Sequence, residues 1–185
     1  DAFHDATAPA IIHLDCGRYD TMWKNGPSDF SQAGYPTRFS IDTTKGKVAQ
    51  SALGDVAVEF PRINPTRQGR AYRYGYSIAA SEGNASGLEQ PFAADRIVKH
   101  DRQTGNATMF ALSPGQEADE ALFVPDPAAK NEDDGWVLAY VFDHADNRSQ
   151  LFVLDATDLS KPVARIQLPT RVPHGFHGDF VPTKG

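Results

Sequence analysis

RFSIDTTKGKVAQSAL, residues 38–53, has two counterparts further along the chain, RIVKHDRQTGNATMFAL at 96–112 and LFVLDATDLSKPVARIQL at 151–168. Each is an apolar run closing on an aspartate (Asp42, Asp101, Asp155), then a polar turn, then a second run ending in leucine. An aspartate at the start of a tight turn accepts hydrogen bonds from the backbone just ahead of it, so it ends one strand and folds the chain back into the next. The three aspartates recur roughly every 55 to 60 residues, a span that suits one four-stranded antiparallel blade, and the repeat therefore reads as a β-propeller. Propellers close with about four blades or more, and only about three fit here, so the expected object is an arc of a ring. Its raw blade faces call for more of the same polypeptide or for another chain. A β-sandwich of irregular hairpins is the competing arrangement.

The rest of the chain agrees with an all-β class. In IIHLDCGRY, Ile12, Leu14 and Cys16 alternate with His13 and Asp15, the mark of a half-buried strand. AYRYGYSIAA, DGWVLAYVFD, SQLFVLDAT and PVARIQLP read similarly, while 13 prolines and 15 glycines cut every stretch too short for a helical period. The net charge of −6, with scattered basic residues, gives no electrostatic footprint for nucleic acid or an anionic membrane surface. No apolar run nears the roughly 20 residues that span a bilayer, and the chain is expected to be soluble. It opens on Asp1 without a basic, then apolar, leader, which reads as a processed or truncated product. The single cysteine, Cys16, can form no internal disulfide, and a reducing, cytoplasmic location is expected.

Candidate chemistry gathers near the C-terminus. RVPHGFHGDF, residues 171–180, carries His174 and His177 among glycines and a proline that exclude a helix. On an extended segment a spacing of three sends the two rings to opposite faces, so they are not expected to chelate one ion together. Two glutamates bear on the reading. In DVAVEFPRIN, Val56, Val58 and Phe60 share a face, Glu59 points the other way, and Pro61 is expected to stop the strand. In DEALFVP, Glu120 opens a short apolar strand that ends at Pro125. A carboxylate on a buried strand is costly unless bonded, and solvated edge positions are the alternative for both. Tyr72, Tyr74 and Tyr76 read as an aromatic ladder along one strand face, and NEDDGW as the acidic turn before the Trp136 strand. Asp42, Asp101 and Asp155 are structural, and His4, His13, His100 and His144 are assigned to surfaces or turns.

VEFPRIN, EALFVPDP, NEDDGWVLAYVFD and VARIQLPTRVPHGFHGDFVP, in this order and spacing, resemble the C-terminal portion of the carotenoid cleavage oxygenases. That family includes stilbene-cleaving dioxygenases and the retinal pigment epithelial membrane protein. The resemblance covers residues 1–185 as one partial propeller domain, and it implies the C-terminal blades, about three, of a seven-bladed β-propeller. It further implies an Fe(II) on the propeller axis held by four histidines, with glutamates accepting from their remote ring nitrogens. By that pattern His177 is the metal ligand and His174 a packing residue. Glu120 accepts from His177, and Glu59 serves a third histidine expected just upstream of Asp1. The other ligands, the substrate tunnel and a peripheral membrane contact would belong to the upstream part.

The expected function is that of a non-haem Fe(II) dioxygenase acting with O2 on an apolar conjugated carotenoid, apocarotenoid or stilbene, to which this chain contributes and in which it is inactive alone. An isomerohydrolase sharing the iron site and a non-catalytic propeller module for binding or structure are the rival readings. The dioxygenase reading predicts a Glu120 carboxylate within about 2.6 to 3.2 Å of a His177 ring nitrogen.

Overall fold

All three Asp-bounded turns occupy one structural position, the connection between the third and fourth strands of an antiparallel meander. In the computed structural model, which describes residues 1–21, 34–80, 94–173, 175 and 177–182, three such meanders follow one another along the chain. The first sheet is β1 (Ala2–His4), β2 (Ile11–Arg18), β3 (Tyr35–Asp42) and β4 (Lys47–Ala52). The second is β5 (Glu59–Ile63), β6 (Tyr74–Ala79), β7 (Arg96–Asp101) and β8 (Ala107–Ala111). The third comprises β9 (Gln116–Ala118), β10 (Leu122–Pro125), β11 (Gly135–Asp143), β12 (Arg148–Asp155) and β13 (Pro162–Gln167), with β9 and β10 pairing different stretches of β11. Apart from one 3-10 turn at Pro65–Arg67, no helix occurs among the described residues. The aspartates act as expected. Asp42 accepts from the Thr44 and Lys45 amides, Asp101 from Gln103 and Asp155 from Thr157, at 2.8 to 3.0 Å.

The apolar core lies between the second and third sheets. Tyr76, Ile78 and Ile97 from one face pack with Phe123, Val137, Val141, Phe152 and Leu154 from the other, all essentially without solvent contact. Tyr76 stacks on Phe123 with centroids 5.0 Å apart. The acidic turn of NEDDGW fastens the same two sheets. Glu132 accepts from the Arg73 and Tyr74 amides at 2.7 Å each, and Asp133 accepts from Lys99 at 2.6 Å. The first sheet is attached differently, through a buried polar knot. Asp15 takes both Arg38 nitrogens at 2.7 Å and the Tyr72 hydroxyl at 2.7 Å, and Phe3 meets the Tyr72 ring edge-on.

Local expectations change in three places. Pro61 does not stop its strand: β5 runs through it to Ile63, because a bulge between Glu59 and Arg62 absorbs the missing amide. Tyr72 precedes β6 and serves the Asp15 knot, so the tyrosine ladder reduces to Tyr74 and Tyr76. His100 is neither at the surface nor in a turn. It lies in β7, 4% exposed, beside the Ser77 hydroxyl at 2.9 Å. His4 is exposed and His144 sits in a hairpin turn, whereas His13 is half-buried in β2 between Asp5 and Ser40.

Two measurements follow from this packing. Arg38→Met leaves the Asp15 carboxylate buried with the Tyr72 hydroxyl and the Arg102 charge to offset it, and urea denaturation at pH 7 should show a loss of about 3 kcal/mol. Burial, aided by the Arg102 charge, pushes His100 down to about 4. Its folded pKa thus lies below its unfolded one, and the stability it contributes is complete above about pH 6.5 and lost as pH falls towards 4. His100→Gln should flatten the stability profile in that window by roughly 3 kcal/mol between its ends, and an unchanged slope would show that the ring takes up its proton while folded.

Candidate metal centre

Both singled-out glutamates stand at irregularities in the first strand of their sheet. Along β5, Glu59 faces Ile78 and Arg62 faces Tyr76, so the strand holds one residue more than its partner. Phe60 absorbs this with φ +50°, a backbone region that a bulky side chain rarely enters. In the third sheet, Ala118 faces Val141 and Leu122 faces Leu138, again with one residue to spare. The break falls at 119–121, where the Asp119 amide still reaches the Tyr140 carbonyl. Glu120 is therefore outside β10, where the sequence placed it at the start. Bulges commonly re-aim a side chain out of a sheet's regular alternation, and here each accompanies an acidic residue.

The re-aimed Glu120 meets the segment after β13. Its Oε1 lies 3.0 Å from His177 Nδ1 and its Oε2 accepts from the Gly178 amide at 2.8 Å. Arg62 donates through Nε to Oε1 at 2.6 Å and through Nη2 to the Gly178 carbonyl at 2.9 Å. The Phe60 ring stands edge-on to the imidazole, centroids 5.4 Å apart. Burial pushes the Glu120 carboxyl up, but the bonds from Arg62, the Gly178 amide and His177 outweigh it, and the group rests below the usual range. An ionised carboxylate only accepts, so His177 carries its proton on Nδ1 and leaves the Nε2 lone pair outward. The His177 side chain is 66% exposed, and no described residue bonds Nε2. Leu122, Leu138, Leu151 and Val172 line a cleft of about 450 Å³ next to the ring.

Glu59 is close to this constellation through its neighbour Phe60 but touches neither Glu120 nor His177. Its partner is the hydroxyl of Tyr19, the residue that follows β2. Burial pushes its carboxyl up. His174 lies outside the described residues. Arg62 and Tyr19 went unnoticed in the sequence, and Phe60 was read only as one of three apolar residues sharing a strand face. Arg62 sits inside the quoted VEFPRIN motif, and a cation so near an acid-bearing bulge was the available signal.

Among the described residues no group of three or more histidine, cysteine or acidic side chains could enclose a metal. His177 by itself has the properties of one ligand: a ring steadied by a buried acceptor and an open nitrogen.

Three successive antiparallel meanders are an arc of propeller blades, and solved structures of propeller-type oxygenases superpose on the chain. Cobalt-substituted Synechocystis apocarotenoid oxygenase does so with a TM-score of 0.85 at 30% identity, covering 99% of this chain and 38% of that one. A profile of the retinal pigment epithelial membrane protein family matches residues 1–182, and the chain belongs to that family. It is 35% identical over 176 residues to a Mycobacterium tuberculosis carotenoid cleavage oxygenase, covering 94% of this chain and 34% of the relative. It is 37% identical over 149 residues to Synechocystis apocarotenoid-15,15'-oxygenase, covering 79% of this chain and 29% of the relative. The chain thus spans about a third of the length of the curated relatives it matches.

Glu59 offers a check on whether this corner is built for stability. Its folded pKa is raised, so the stability it supplies is present below the unfolded pKa and lost as pH rises through the folded one. Glu59→Gln should therefore raise the unfolding midpoint at pH 7 and leave it unchanged at pH 4, by under about 1 kcal/mol because the group is only half-buried.

Proposed function

We propose that the chain supplies His177 as one ligand of a non-haem Fe(II) centre in a dioxygenase that cleaves a conjugated carbon–carbon double bond of a carotenoid, apocarotenoid or stilbene to two carbonyl products. The observation that carries this reading is the His177–Glu120 contact, with Nδ1 held at 3.0 Å by a buried carboxylate and Nε2 bonded by no described residue. A single imidazole holds a divalent ion weakly, so the remaining ligands must come from outside the described residues. Neutral nitrogen donors suit iron better than calcium or magnesium, and a relative of the same fold takes cobalt by substitution.

When bound, Fe(II) would supply the oxygen chemistry, and this chain's residues supply geometry. Glu120 keeps the proton on Nδ1 and thereby keeps Nε2 a donor. Phe60 limits rotation of the ring. The leucines and Val172 beside it exclude water from the face where an apolar substrate would lie. Glu59 is read as the acceptor for a second ligand histidine, with Tyr19 as its present partner. A cytoplasmic location and a peripheral membrane contact made outside this chain belong to the same proposal.

A chimera in which this chain replaces the matching part of Synechocystis apocarotenoid oxygenase tests the reading. It is expected to retain about one iron per chain and to bleach an apocarotenoid, and His177→Ala in the chimera should lower metal affinity by at least about tenfold. A folded chimera that retains no iron would defeat the proposal and favour a binding or structural module.

A further inference from the structure

Arg62 grips two groups at once. One guanidinium nitrogen donates to Glu120 Oε1 at 2.6 Å and another to the Gly178 carbonyl at 2.9 Å. The Gly178 amide returns to Glu120 Oε2 at 2.8 Å. Guanidinium, carboxylate and the two sides of one glycine form a closed circuit around the residue next to the imidazole.

We infer that Arg62 is a positioning residue for His177, acting through this two-point grip and not through contact with the ring. The inference rests on the Fe(II) reading only for what the ring is positioned to do; the grip itself involves no metal. Among the described residues of 172–182 none is in a strand or helix and most are exposed. Upstream of the circuit the Val172 amide is anchored on the Ser149 hydroxyl at 2.9 Å. That anchor lies five residues before His177, and the grip on Gly178 holds the backbone on the other side of the ring. Arginine reaches the carboxylate through Nε and the carbonyl through Nη2, two donors held apart in a rigid plane, whereas a lysine here would have to bring one nitrogen within reach of both acceptors. The same bulge that turns the Phe60 ring onto the imidazole also delivers Arg62, two residues on, to Glu120. Losing Arg62 takes away the counter-charge of a carboxylate that is 8% exposed and frees the Gly178 carbonyl, so the bonds that set the ring weaken together.

The test uses the whole 15N-labelled chain at pH 7 without metal, reading the His177 tautomer from long-range 1H–15N spectra and Gly178 amide exchange. The unchanged chain should show the Nδ1–H form and a protected Gly178. Arg62→Gln should mix the tautomers and speed Gly178 exchange by roughly tenfold or more, while the β7 amides of Ile97 and Val98 stay protected. Arg62→Lys should fall between the two. Arg73→Gln, which breaks an ion pair of the same sheet at a hairpin, should leave both signals alone. Unchanged His177 and Gly178 signals in a folded Arg62→Gln chain overturn the inference, as does an Arg73→Gln effect of equal size. If Arg62→Gln unfolds, Arg62→Lys decides: signals equal to the unchanged chain reject the two-point grip, and disturbed ones support it. Failure of the chimera to hold iron, with these readouts as expected, would remove the metal reading alone.

Discussion

A buried carboxylate has to be surrounded by donors or give up its charge, and Glu120 is where this chain meets that demand. Its donors come from two separate pieces: Arg62 in the second sheet, and His177 and the Gly178 amide in the segment beyond β13. Glu120 itself stands in the break at the head of the third sheet. Neither piece satisfies the acid without the other. The site therefore forms only when two sheets and the terminal segment have assembled, and its geometry follows from the fold as a whole. Burial alone would favour the protonated acid, yet the donors outweigh it. The acid stays an acceptor, and this settles which imidazole nitrogen is left open.

How much of this was legible in the sequence depends on the range of the interaction involved. The Asp turns could be read because an aspartate and the amides it caps lie within three residues, and so the repeat and the all-β class followed. Alternation in segments such as DGWVLAYVFD located strands for the same reason. Pro61 misled because whether a proline ends a strand depends on the partner's register, and the bulge opposite Ile78 and Tyr76 is decided by β6. His100 misled because a polar ring enters the interior only if a group such as the Ser77 hydroxyl awaits it on the neighbouring strand. Arg62 and Tyr19 find their acids about 58 and 40 positions away, beyond any local pattern. His177 and Glu120 were candidates from their own sequence surroundings, but their pairing was expected only through family resemblance, and the contact between them lies at the expected distance.

The divided character of the packing has its own outcome. The second and third sheets share one oily interior and an acidic clasp, whereas the core cluster contains no residue of the first, which meets the second through polar contacts such as the Tyr72 hydroxyl on Asp15 and Arg102 on the Leu53 carbonyl. A broad apolar contact is lost cooperatively, whereas a few polar contacts can open one at a time. The chain should accordingly come apart in stages, its leading sheet fraying as a separate cooperative unit while the pair behind it persists. Arg62, Glu120 and the anchoring of His177 all belong to the persistent part, so the imidazole can stay aimed while the leading sheet breathes. Glu59 does not share that protection, since the hydroxyl that holds it departs with the sheet that unravels first.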